Sequence, residues 1–157
     1  MNTTATETIY LSKKGMKELK KTITQLERDL RRTIIDLHEQ DKTDSHDGRL
    51  ARIEKMAQRD AIQTELDEKR TLLMTAKPYP RKRDALYAGI GSVVELIDTN
   101  GRKFCYTLVD SIEANPSDGR ISIKSPLGQN LIGKTITDTI NWGNDFRRTQ
   151  LQLIRIS

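Results

Sequence analysis

Apolar residues in the first half of this 157-residue chain recur at the alternating three- and four-residue steps of a helical seam: Met16, Leu19, Ile23, Leu26, Leu30 and Leu37. Thr33 is the polar slot in that series, with Ile34 beside it able to substitute. The pattern predicts a helix over residues 13–40, about 40 Å long at the standard rise per residue. Thr8 or Ser12 is placed to cap it. A less regular stripe through Leu50, Ile53, Ala57, Ala61, Leu66 and Leu73 predicts a second helix. Between the two lies KTDSHDG, whose residues favour caps and turns, with Gly48 the best local breaker. So short a connection makes two long amphipathic helices antiparallel neighbours.

The helical period ends at Lys77-Pro78-Tyr79-Pro80, since two prolines in three residues break a helix and stiffen the linker. Arg81-Lys82-Arg83 then reads as solvated basic surface. From Gly91 the texture changes to short β segments: SVVELID, KFCYTLVDSI, RISIKS and RRTQLQLIRIS. Turn-rich DTNGR, ANPSDGR and NWGND separate them. An antiparallel sheet with about one helix, near Pro126–Lys134, is expected. The fold class is therefore α+β: a helical hairpin over 1–77, a linker over 78–83 and a small β-rich domain over 84–157.

Composition supports that division. Hydrophobic residues make up 35% of the chain and aromatic residues 4%, too little apolar mass for a single thick globule. Cys105 is the only cysteine, so a disulfide framework and a thiolate metal cluster are excluded. Lying between Phe104 and Tyr106, it reads as a small buried strand residue. No apolar run approaches the roughly 20 residues that span a bilayer. The opening MNTTATETIY lacks a signal peptide's basic and apolar regions, so no membrane is expected and the cytosol is the default location. With no Gly-rich phosphate loop and no nucleophile elbow, the residues do not suggest an independent enzyme.

Charge order changes the picture more than composition does. Residues 13–32 hold eight Lys/Arg against three Asp/Glu, a balance of +5. Residues 36–47 hold five Asp/Glu against one Lys, a balance of −4. A basic shaft thus leads into an acidic tip, a form that suits carboxylates carried into a partner with a basic flank along a phosphate backbone. In the tip, Asp41, Asp44 and Asp47 recur every three residues beside Glu39. One reading is a solvated turn in which Asp44, Ser45 or Asp47 caps the second helix. The other is a pair of exposed carboxylates that ligate a hard divalent cation, with water and phosphate completing its shell. A zinc site using His38 and His46 is disfavoured, because no third nitrogen or sulfur ligand is in sequence reach.

Two stretches then carry a resemblance. ISIKSPLGQNLIGKTITDTI (Ile121–Ile140) is similar to the carboxy-terminal domain of the Gre transcript-cleavage factors of bacterial RNA polymerase, where a strand, a Ser-Pro turn and an L-I/L-G-K segment occur in this order. The opening IYLSKKGMKELKKTITQLERDL resembles the family's first helix. With matching arm lengths, linker and total length, the resemblance covers nearly the whole chain. It implies an antiparallel coiled-coil hairpin followed by an FKBP-like domain that docks on RNA polymerase, the hairpin entering the polymerase's secondary channel. It also implies that Asp41 and Asp44 help bind a Mg²⁺ shared with the polymerase active site and position water for hydrolysis of backtracked RNA. Arg28, Arg31 and Arg32 would contact the nascent RNA 3′ end. Lys124, Ser125 and Pro126 would face the polymerase, and the factor would act as a monomer. Around its acids the family commonly reads G-D-L-x-E-N-A-E-Y; here the run is Gln40-Asp41-Lys42-Thr43-Asp44-Ser45-His46-Asp47-Gly48. Two other readings stand beside this one: a Gre-like inhibitor that occupies the channel without stimulating cleavage, and a coiled-coil adaptor or dimerisation module.

Overall fold

A computed structural model describes residues 7–40, 46–80 and 86–157. They divide into two units, each taken by itself. The first is Lys13–Ala76; the second joins residues 7–12 to the chain from Lys77 onward. The sequence boundary at 1–77 therefore shifts at its amino-terminal side, and the reason is a strand. Tyr10–Leu11 (β1) pairs in parallel with Lys77–Pro78 (β2), Tyr10 opposite Lys77 and Leu11 opposite Pro78.

In the first unit, α1 (Lys13–Gln40) and α2 (His46–Thr75) pack side by side. The α1 seam follows the sequence pattern: Leu19 and Ile23 are buried, while Met16, Leu26, Leu30 and Leu37 are half-buried. Thr33 keeps its slot and Ile34 does not replace it, because the Thr33 hydroxyl donates to the Asp29 carbonyl at 2.9 Å and so enters the seam satisfied. Along α2 the expected stripe is displaced. Leu50, Ile53, Ala57 and Ala61 are exposed, and the inward set is Ala51, Lys55, Arg59, Ile62, Leu66, Lys69 and Leu73. Lys55 turns inward because Asp36 on α1 meets its ammonium at 2.6 Å, and Arg70 reaches Glu27 at 2.7 Å. Two cations are thus placed by cross-helix pairing that an apolar-only stripe overlooks. Gly48 and Asp47, expected as breaker and cap, lie inside the first turn of α2, where the Asp47 carboxylate favours the helix dipole.

The second unit is a curled five-stranded sheet with one helix. Its strands are β3 (Val93–Asp98), β4 (Lys103–Val109), β5 (Arg120–Ser122), β6 (Thr139–Asn144) and β7 (Arg147–Ile156), in the order β5-β4-β3-β7-β6. All pairs are antiparallel except β4 with β5. The core gathers Val94, Leu96, Leu108, Leu127, Leu131, Ile140, Leu151, Leu153 and Ile156, with Phe104, Tyr106 and Ile121 packed against it. Phe104 and Tyr106 face that core, so the strand's alternation puts Cys105 on the opposite, exposed side; the expectation of a buried thiol is overturned. NWGND is not a separator either. Thr139–Asn144 is a strand, Trp142 and Gly143 belong to it, and the reversal falls at Asp145-Phe146.

The single helix, α3 (Pro126–Leu131), ends earlier than the expected Pro126–Lys134. It lies so close to β5 that a Cβ on Gly128 would come within 2.0 Å of the Ser122 carbonyl oxygen. The amino-terminal strand is held by carboxylates of a 3₁₀ turn and its cap. Asp110 accepts from the Tyr10 amide at 3.0 Å, while Glu113 accepts from the Ser12 amide at 2.9 Å and the Ser12 hydroxyl at 2.6 Å. The Tyr79 hydroxyl also donates to Glu113, at 2.5 Å. Burial first, then this hydrogen bond and the charge of Glu113, push the phenol well above its usual range. Among the described residues no helix is long and apolar enough to cross a membrane.

Candidate functional site

Successive residues of a helix are about 100° apart. On α1 this places Lys13, Lys14, Lys17, Lys20, Lys21, Arg28, Arg31 and Arg32 within an arc of about 120°, on the side away from the seam. All eight are exposed. Most acids of α1 are engaged away from this stripe, and among the described residues only Glu18 pairs within it. Glu27 takes Arg70, Asp36 takes Lys55, Asp29 accepts from Gln25 at 3.0 Å, and Glu18 lies 3.9 Å from Lys14. Arg28, Arg31 and Arg32 therefore have no carboxylate partner among the described residues. The helix presents a cationic face about 30 Å long from Lys13 to Arg32, with these three arginines on its tip-side half.

Asp41 and Asp44 lie outside the described residues, as do Lys42, Thr43 and Ser45. Gln40 ends α1 and His46 begins α2 on either side of them in sequence. Among the described residues no group of three or more His, Cys, Asp and Glu is arranged to hold a metal ion. As a donor set, two carboxylates on a short turn suit a hard cation that retains water and phosphate ligands, and suit Mg²⁺ in that sense. Asp47, third in the acidic series, is exposed in the first turn of α2. Beside the tip, Ile34, Leu37, His38, Arg52, Met56 and Arg59 line a shallow groove between the two helices. The sequence pattern conceals this groove because the arginines of α2 are not part of its apolar stripe.

In the second unit, Lys124-Ser125-Pro126 forms the start of α3. Ser125 is its N-cap: the hydroxyl oxygen accepts from the Gly128 amide at 3.1 Å and donates to the Ser122 carbonyl at 2.6 Å. Pro126 occupies the first helical position, where its missing N–H costs nothing. Lys124 is half-exposed and meets Glu7 at 2.6 Å. Ser125 and Pro126 thus shape the turn, and Lys124 carries its charge.

A two-helix hairpin with a cationic outer face, followed by a small curled sheet whose helix opens on Ser-Pro, is an architecture that can be compared directly with known proteins. Residues 87–157 match the family described as transcription elongation factor, GreA/GreB, C-terminal. The chain is 31% identical over 138 residues to transcription elongation factor GreA of Mycoplasma genitalium, covering 82% of this chain and 83% of that protein. It is 29% identical over 149 residues to GreA of Shouchella clausii, covering 83% and 85%. Among solved structures it is similar to the GreA factor homolog 1 (Gfh1) protein of Thermus thermophilus, with a TM-score of 0.44 and 23% identity over 96% of this chain and 99% of that one. The chain belongs to the GreA/GreB family of transcription elongation factors.

Proposed function

We propose that this factor binds RNA polymerase as a monomer, inserts its hairpin into the secondary channel, and stimulates cleavage of backtracked RNA by the polymerase active site. The observation that supports this reading is the exposed cationic face of α1, with Arg28, Arg31 and Arg32 free of carboxylate partners among the described residues, on the helix that precedes Asp41 and Asp44 in sequence. Arg28, Arg31 and Arg32 offer guanidinium groups to the phosphates of the RNA 3′ segment. Asp41 and Asp44 would hold the Mg²⁺ shared with the polymerase. When bound, that ion neutralises phosphate charge and lowers the pKa of the attacking water. The carboxylates would orient this water by accepting its hydrogen bonds. Lys124, at the head of α3, supplies a charged contact for docking. The factor itself remains a non-enzyme, lending ligands to a site that the polymerase completes.

Cleavage by stalled polymerase, with and without the factor, tests the reading. Asp41→Asn or Asp44→Asn should reduce stimulated cleavage at least tenfold while polymerase affinity is unchanged, since Asn keeps the shape and removes the charge that recruits the ion. Raising Mg²⁺ should restore part of the loss by mass action. Asp47→Asn, in the helix rather than the reversal, should change cleavage little. A wild-type factor that binds polymerase and never stimulates cleavage would instead be a channel-occupying inhibitor.

A further inference from the structure

The last two strands extend beyond the rest of the sheet. Pairing of β3 with β7 ends at Asp98 opposite Leu151, whereas β6 and β7 continue together from Asn141–Gln150 to Asn144–Arg147. Residues 141–150 therefore form a two-stranded ribbon that reaches about 13 Å past the five-stranded region. Ile140 and Leu151 face the core, so alternation places Trp142, Thr149, Asn144 and Arg147 on the continuation of that same face. That face is only partly covered, with Thr149 half-buried. Trp142 is 37% exposed and Phe146, at the reversal, is 95% exposed. Aromatic residues are only 4% of this chain, yet its sole tryptophan and one of its two phenylalanines stand close together on a solvent-facing ribbon. An isolated ribbon gains no stability from such side chains.

The charges at this end of the sheet indicate what the aromatics meet. The β3–β4 turn lies at the same end and contributes Arg102 and Lys103. The ribbon contributes Arg147 and Arg148. Against these four cations stand two acids. Asp98 is occupied by the amides of its own turn, Asn100 and Arg102, each at 2.8 Å. Asp145 meets only Arg148, at 3.2 Å, in a fully solvated pair that salt screens. Arg102, Lys103 and Arg147 have no carboxylate partner among the described residues. Arg147 shares the Trp142 face, while Arg148, opposite Gly143, and Lys103, opposite Ile97, lie on the other face at the same end. Exposed aromatic rings at an end of the sheet rich in unneutralised cations fit a polyanion that also carries flat rings. An acidic peptide would satisfy the cations and leave the indole and phenyl faces without matching surfaces.

We propose that the β6–β7 ribbon binds single-stranded nucleic acid, with Trp142 and Phe146 as stacking platforms and Arg102, Lys103, Arg147 and Arg148 as phosphate partners. Gly143 is built into this device. Its φ is +127°, and a Cβ there would come within 1.8 Å of the Arg147 carbonyl oxygen, so the ribbon bends beside Trp142 where no other residue fits. The site is independent of the hairpin and of its proposed role in the polymerase channel.

Because Trp142 is the only tryptophan, its fluorescence reports on this site and no other. The full chain, free of polymerase, is titrated with oligouridylate and oligodeoxythymidylate of about a dozen nucleotides at low salt. Saturable quenching is expected. Phe146→Ala should weaken the apparent affinity roughly fivefold or more, the loss of one stacked base. The double variant Arg147→Gln/Arg148→Gln should reduce the slope of log K against log salt by about 1.4. Both substitutions are of exposed side chains, and unchanged circular dichroism confirms that the sheet is intact. Absence of quenching, equal affinity and slope in the ribbon variants, or equal quenching by a polyaspartate peptide would each overturn the proposal.

Discussion

The phenol of Tyr79 is held between two constraints. Its ring lies where a Cβ on Gly91 would be 2.8 Å away, and its hydroxyl is committed to Glu113. The folded state therefore favours the neutral phenol, whose pKa is raised by burial and by the Glu113 carboxylate. Linkage gives the sign: the contribution to stability is full below the unfolded value near about 10 and is lost as pH rises above it. An alkaline titration followed by phenolate absorbance should show one late-ionising tyrosine, and Tyr79→Phe should remove that late phase. Persistence of the phase in the variant would assign it to another tyrosine. Neither constraint is legible in the sequence. The partner, Glu113, lies 34 residues away in a stretch that reads as a plain separator.

At the scale of elements, the displaced stripe of α2 makes a sharp comparison. Leu66 is 1% exposed and Ile53 is 63% exposed, although the sequence pattern ranks them alike. Leu66→Ala should destabilise the hairpin by about 2–4 kcal/mol, and Ile53→Ala by no more than about 0.5 kcal/mol. Thermal unfolding followed by helical circular dichroism measures both; similar losses would restore the stripe that the sequence pattern predicts. The α1 seam is legible because its apolar residues keep strict coiled-coil spacing. The α2 seam is not, because Lys55, Arg59 and Lys69 bury their stems there and a hydropathy pattern counts only their charges. On the opposite side of α1, the Arg28→Gln/Arg31→Gln/Arg32→Gln variant should crosslink less to the RNA 3′ segment in a polymerase complex. The salt slope of that interaction should fall by about 2, and helix content should not change. Equal crosslinking would return the three arginines to solvated surface.

Across the whole molecule, the two-unit organisation and the β-rich character of the carboxy-terminal half are legible where the period of apolar residues changes. Family membership is legible in the Ser-Pro-Leu-Gly run that opens α3. The parts that escape the sequence are those fixed by distant pairing: β1 and β2, two residues each, are too short to leave a pattern, and β6 is concealed by the turn-forming residues Asn141, Gly143 and Asn144. The docking prediction belongs at this scale. Lys124→Gln should weaken polymerase binding at least several-fold while the melting temperature falls by no more than about 4–8 °C, because its exposed pair with Glu7 contributes at most about 1 kcal/mol. Full affinity in that variant would move the docking surface away from the head of α3.

The first strand carries one more consequence, in the order of synthesis. The carboxylate that anchors Tyr10, Asp110, is made 100 residues after it. At bacterial and eukaryotic elongation rates that interval is about 5–20 s. During it the complete hairpin can fold on the ribosome, since all its partners lie between residues 13 and 76. The strand that precedes it must wait. The hairpin is thus finished first, and the strand made before it finds its place after it.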